Sequence, residues 1–187
     1  LLKLALSGAS LLMLESTAIN NSGRITNKDL CIINKKNEKK LKNLLVFLKK
    51  FSDIKIGIQI SHAGRKGSAH IPWVKSNHPL KKKSWKTFAP SPIKRDKHWP
   101  KPKELSLKQI SKIKKDFIKA SLRAKRAGFD CLEIHMAHGY LLHQFFSKIS
   151  NHRNDQYGGN IENRSRLLIE ISKEIRKIWP KKKMLGA

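Results

Sequence analysis

Asp130-Cys-Leu-Glu-Ile-His-Met-Ala-His-Gly-Tyr140 is a short apolar run that turns polar at its end. It is too short for a buried helix and lacks the alternation of a half-exposed strand. It therefore reads as a strand buried on both faces, as in a parallel sheet. Two other stretches repeat the pattern. Leu11 to Leu14 ends in Glu15, Ser16 and Thr17, and Lys55 to Ile60 (KIGIQI) ends in Ser61 and His62. In the latter, Ile56, Ile58 and Ile60 fall on one face, Gly57 and Gln59 on the other. Met184 opens a fourth such strand.

Helical periodicity fills the intervals. Leu41, Leu44, Leu45 and Leu48 recur within Lys36–Lys50. Ser106 is placed to cap a helix running to Ala127, and Gly128 to end it. Asn160 caps a third helix to Ile178, with Leu167, Leu168, Ile171, Ile175 and Ile178 facing the core. Ser61–Lys103 is a long irregular connection with six of the seven prolines and three of the four tryptophans. Loops of that length in a compact domain are usually functional or disordered. The tryptophans favour order and a flat apolar surface near a ligand, or a lid packed on its own scaffold. Strand–helix alternation gives an α/β fold with a parallel sheet. No G-x-G-x-x-G or G-x-x-x-x-G-K-[ST] follows any strand, which disfavours the dinucleotide and P-loop folds. The remaining common solution is a (β/α)8 barrel, although alternation alone leaves an open sheet possible.

Composition restrains the functional classes. The formal net charge of +28 invites a nucleic-acid reading. Yet 32 of the 41 basic residues are Lys, dispersed along the chain, and Ile outnumbers Val 20 to 2. Both biases follow A/T-rich codons. Nucleic-acid surfaces favour Arg interleaved with aromatics, so a non-catalytic basic binding module is the lesser alternative. Cys31 and Cys131 form no CxxC pair, which argues against a disulfide framework or zinc site and fits a reducing cytoplasm. Leu1–Leu14 is too short to span a bilayer, which needs roughly 20 residues. It reads as a helix end, a turn and a buried strand, so no membrane association is expected. The start at Leu1 and the stop at Ala187, inside a nascent strand, are those expected of a piece of a longer protein.

The polar residues that end the strands are the candidates for chemistry, because barrel active sites form at that end. His135 and His138 are spaced to converge on one acceptor atom, as a carbonyl oxygen gaining negative charge requires. The Tyr140 hydroxyl is placed to supply a proton. A metal reading lacks a third ligand at suitable spacing. The Gln59 amide offers a donor and an acceptor, matching the edge of a flavin-like pyrimidine. Ser150–Arg166 is read as architecture, with Arg153, Asp155, Glu162, Arg164 and Arg166 available for a buried ion-pair net.

Several blocks together resemble one family: Ile58-Gln59-Ile60-Ser61-His62-Ala63-Gly64-Arg65-Lys66, Ala89-Pro90-Ser91, Ala127 through Phe145, and Ser150 to Arg164. They are similar to the Old Yellow Enzyme family of NADH:flavin oxidoreductases, in its xenobiotic-reductase and NADPH-dehydrogenase branch, over nearly the whole chain. The resemblance implies an FMN-binding (β/α)8 barrel, with NAD(P)H as electron donor and an activated alkene such as an enone as substrate. It implies that Gln59 and Ser16 contact FMN, that His135 and His138 hold and polarise the substrate carbonyl, and that Tyr140 donates the proton. Lys66 falls where a basic residue lies near the site mouth.

Residues 1–187 then correspond to a partial barrel domain, from about the second strand to the start of the fifth. The first strand and the phosphate-binding loops of the last strands lie outside it. About half of an FMN site is expected within this stretch, which alone is expected to be inactive. The complete protein is expected to be a homo-oligomer. A dienoyl-CoA reductase-like or amine-dehydrogenase-like enzyme, with a downstream iron–sulfur module, is the alternative within the same family.

Overall fold

The computed structural model describes residues 1–75 and 78–187. After a short helix at Leu2–Ala5, the main elements are β1 (Leu11–Ala18), α1 (Lys35–Leu48), β2 (Lys55–Ser61), α2 (Leu107–Ala127), β3 (Cys131–Ile134), α3 (Leu141–Phe146), α4 (Ile161–Ile178) and β4 (Met184–Gly186). The four strands form one parallel sheet in sequence order, β1-β2-β3-β4. A doubly wound sheet would reverse its order partway. Here each strand adds beside the last, and the helices share one core on one side of the sheet. That is one arc of a (β/α)8 barrel.

The caps follow from local chemistry. Ser106 Oγ accepts from the Gln109 N–H while the Gln109 side chain accepts from the Ser106 N–H, closing a capping box at α2. Gly128 ends α2 at φ 98°, a left-handed conformation that costs glycine little. Asn34 and Asn160 cap α1 and α4.

The two faces of the sheet differ as the β2 pattern requires. Ile56, Ile58 and Ile60 are each 0 % exposed beneath the helices, and each such burial contributes about 1.5–3 kcal/mol. Gly57 and Gln59 face the other, concave side. Met13 pairs with Gly57, and its sulfur occupies the space that a side chain at position 57 would need.

β1 continues beyond the apolar run to Ala18, because the pairing shifts register between Leu14 and Ser16. Leu14 opposes Ile58 on the helix side, but Ser16 then opposes Gln59 on the concave side. Glu15 is the extra residue of this bulge, which re-aims the Ser16 side chain. No periodicity in the sequence signals it.

The segment after β2 carries more structure than an irregular loop. It holds a short helix at Pro72–Lys75 and a two-residue ladder of Phe88–Ala89 with Lys103–Glu104. Its tryptophans do not share one surface. Trp99 is buried with Arg95 over its ring, Trp85 stacks with Arg24, and Trp73 is exposed. Arg153 anchors the segment, donating to Pro90 O (2.9 Å) and Leu105 O (2.6 Å) and pairing with Glu104 and Asp155.

The expected ion-pair net is thus smaller than its sequence suggests. Arg164 instead donates to Phe146 O and Gly159 O, and Arg166 to Gln156 O and Asn163. Loop carbonyls lack partners of their own, so the guanidinium groups satisfy them. Among the described residues, no helix is long and apolar enough to cross a membrane.

Candidate active site

The C-terminal end of β3 builds the centre of the site. His135 is 6 % exposed and its backbone N–H donates to Ile60 O, extending the pairing with β2 by one residue. Its Nδ1 accepts from the Ala137 N–H at 3.2 Å. An amide can only donate, so the imidazole proton belongs on Nε2. That Nε2 faces His138 Nδ1 at 3.3 Å, with the rings edge to face. Burial, with His138 beside it, holds the pKa of His135 below its ordinary value. The residue is therefore a neutral N–H donor at physiological pH.

Tyr140 lies against the same imidazole, with ring centroids 4.6 Å apart. Burial, aided by Asp29, pushes the phenol pKa up. The hydroxyl keeps its proton across the neutral range and is available as an acid. Lys66, on the turn after β2, donates from Nζ to the His138 carbonyl at 2.6 Å and sits over the Tyr140 ring. Burial and the neighbouring Arg95 and Arg65 lower its pKa. The family resemblance implied a place for Lys66 at the site mouth. The structure adds that its ammonium holds the backbone of one of the two histidines.

A second group occupies the concave face of the sheet. Gln59 Nε2 donates to Glu133 Oε1 at 2.7 Å across β2 and β3. Ser16 Oγ and Ser61 Oγ are 2.6 Å apart across β1 and β2. Glu133 was not singled out from the sequence. The available signal was its place two residues before His135, hence on the same strand face.

His62 stands apart from both groups, although it follows β2 as His135 follows β3. It is fully buried, accepts at Nδ1 from the Gly64 N–H, and has Nε2 3.3 Å from Ser22 Oγ. Desolvation pushes its pKa down to about 3. Gly23 packs so closely that an added Cβ would lie 2.9 Å from the ring. His62 ties the loop after β1 to the end of β2 and leaves the open site to the other histidines. Among the described residues, no group of three or more His, Cys, Asp or Glu side chains could hold a metal ion.

Comparison with known proteins follows the same lines. The model of the NADH:flavin oxidoreductase / NADH oxidase family matches residues 3–182. The chain is 46% identical over 174 residues to an NADH:flavin oxidoreductase of Gibberella zeae, covering 90% of this chain and 42% of that protein. It is 41% identical over 179 residues to an NADPH dehydrogenase of Clostridium acetobutylicum, covering 96% and 49%. It is 40% identical over 175 residues to an NADPH dehydrogenase of Bacillus subtilis, covering 94% and 47%. The chain thus spans less than half the length of these relatives. Among solved structures, morphinone reductase superposes with a TM-score of 0.81 at 27% identity, covering 94% of this chain and 48% of that one. A structure of morphinone reductase in complex with tetrahydroNAD superposes with a TM-score of 0.83 at 26% identity, covering 97% and 52%. The sheet is therefore part of a TIM barrel, and the family implies FMN as cofactor with NAD(P)H as electron donor. This chain belongs to the NADH:flavin oxidoreductase / NADH oxidase family, that of Old Yellow Enzyme.

Proposed function

We propose that the protein containing this chain is an NAD(P)H-dependent flavin oxidoreductase that reduces the C=C bond of an α,β-unsaturated carbonyl. The observation that carries this reading is the clustering of the His135, His138 and Tyr140 rings at the end of β3. FMN, when bound, would supply hydride to the β-carbon of the alkene. The residues of this chain would do the rest. The His135 Nε2–H, which faces His138 Nδ1 in the unliganded site, would turn to the carbonyl oxygen, and His138 would supply a second ring N–H to it. Both donors strengthen as charge builds on that oxygen, which lowers the barrier more than it tightens ground-state binding. Tyr140 gives its proton to the α-carbon.

The donor set on the concave face suits the isoalloxazine ring. The Gln59 amide is oriented by Glu133, which takes its N–H and leaves Oε1 to accept from an imide N–H. Ser16, re-aimed by the bulge beside Glu15, brings a small hydroxyl to the same face. Lys66 would reach the mouth of the site only by giving up the His138 carbonyl. We assign its main role to that bond. The absence of Cys pairing in the sequence favours the cytoplasm, and self-association follows the family expectation.

The test is to express the complete reading frame that contains this chain and record its visible absorption. Flavin bands that bleach with NADPH and return with 2-cyclohexenone are expected. A protein that stays colourless with added FMN would contradict the reading.

A further inference from the structure

The turn that carries the histidine pair is strained. His138 has φ 54° and Gly139 φ 68°, two left-handed residues in succession. For a non-glycine residue this conformation costs about 1–3 kcal/mol and persists only where the surroundings impose it. Three side chains impose it here. Lys66 Nζ holds the carbonyl of His138. His143 Nδ1 accepts from the Gly139 N–H at 2.8 Å. Gln144 Nε2 donates to the Gly139 carbonyl at 2.7 Å.

Gln144 does more than close this turn. It is 1 % exposed. Its Nε2 also donates to Ala63 O at 3.3 Å, and its Oε1 accepts from the Arg65 N–H at 3.2 Å. An added Cβ at Gly64, itself at φ 61°, would clash with both amide atoms. One buried amide therefore joins the loop after β2 to the loop after β3, where Lys66 and His138 respectively reside. A backbone bond from the Leu141 N–H to His62 O runs beside it.

We propose that His143 and Gln144 are positioning residues that lock the His138–Gly139 turn and so set His138 against His135. The two act through backbone atoms. Their loss would free His138 to relax toward an ordinary conformation. The inference rests on the enone-reductase reading of the histidine pair. It goes further by assigning the pair's geometry to two residues of α3 that supply no chemistry themselves. His143 is the sharper probe, because only its Nδ1 is used. An asparagine places its side-chain oxygen near the position of that nitrogen, whereas a leucine keeps bulk without an acceptor.

The experiment compares His143→Leu, His143→Asn and Gln144→Leu in the complete protein. Flavin content, kcat and KM for 2-cyclohexenone, and imidazole 15N shifts of His135 and His138 are measured. His143→Leu is expected to retain flavin, to lose about tenfold or more in kcat/KM, the scale set by one lost buried partner, and to shift the His138 resonances. His143→Asn is expected to recover most of that loss, which general loss of packing would not explain. Gln144→Leu is expected to lose at least as much as His143→Leu. Flavin-bearing His143→Leu with wild-type kcat/KM and unmoved resonances would overturn the proposal, even if Gln144→Leu failed to fold. An unmutated protein without flavin or enone turnover would instead overturn the functional reading on which the proposal rests.

Discussion

The two faces of the sheet obey different rules. Against the helices, β2 presents Ile56, Ile58 and Ile60, all fully buried, and the match to α1, α2 and α4 is apolar throughout. On the concave face the sheet presents Met13, Ser16, Gln59 and Glu133: Gln59 bonds Glu133, Ser16 bonds Ser61, and Met13 packs against Gly57. The apolar burial that stabilises the fold is concentrated on the first face, and we assign ligand binding to the second. Alternation along one strand, with the bulge at Glu15, keeps them separate.

Substitutions on the two faces should therefore separate stability from binding. Ile58→Ala leaves a cavity in the helix-side core and should cost about 2–5 kcal/mol in urea unfolding of the complete protein. Flavin affinity in the fraction that stays folded should change little. A loss below about 1 kcal/mol would mean that the helix-side core is less rigid than its burial suggests.

His62, at the end of β2, gives the next effect. Its pKa is pushed down to about 3 from an ordinary 6.5. The folded state thus refuses a proton that the unfolded chain accepts. Below pH 6.5 the unfolded state binds more protons, so stability falls as pH falls, by up to about 1.4 kcal/mol per unit until about pH 3. In His62→Gln this contribution should vanish, which unfolding curves between pH 7 and 4 would show as a shallower slope. An unchanged slope would remove His62 from the explanation.

On the concave face, Gln59→Leu should raise the FMN dissociation constant by about tenfold, with the unfolding midpoint little changed. A reversed result, with lost stability and retained affinity, would contradict the division of labour. The smallest effect belongs to the solvated outside. Lys177 and Glu174 pair at 2.6 Å but are 68% and 49% exposed, so Lys177→Ala should cost less than about 0.5 kcal/mol.

The sequence makes the helix-side face almost fully legible, because apolar periodicity responds directly to burial. The three long helices and the stripe on β2 followed from it, and the residue types of Ser106 and Asn160 marked two caps. The concave face was legible only through motifs. His135, His138 and Tyr140 stand close in sequence, and their rings are neighbours in space. The partners of those residues lie far away along the chain. Lys66 reaches His138 across 72 positions and Gln59 reaches Glu133 across 74. The bulge at Glu15 was invisible for a related reason, since register depends on both strands of a pair. The basic side chains in Ser150–Arg166 misled in the other direction. Charge suggested ion pairs, whereas Arg164 and Arg166 mostly serve carbonyl groups that no sequence pattern marks.

In the proposed reaction the end of β3 polarises a substrate carbonyl. That role is tested most directly by reoxidation of the NADPH-reduced protein, followed by stopped flow, in His135→Ala and His138→Ala. With 2-cyclohexenone as oxidant, each variant should be slowed by about a hundredfold, the range for loss of one such donor. With ferricyanide, which offers no carbonyl to polarise, the rates should match the unmutated protein. Equal slowing with both oxidants, or no slowing with the enone, would contradict the assignment of the histidine pair.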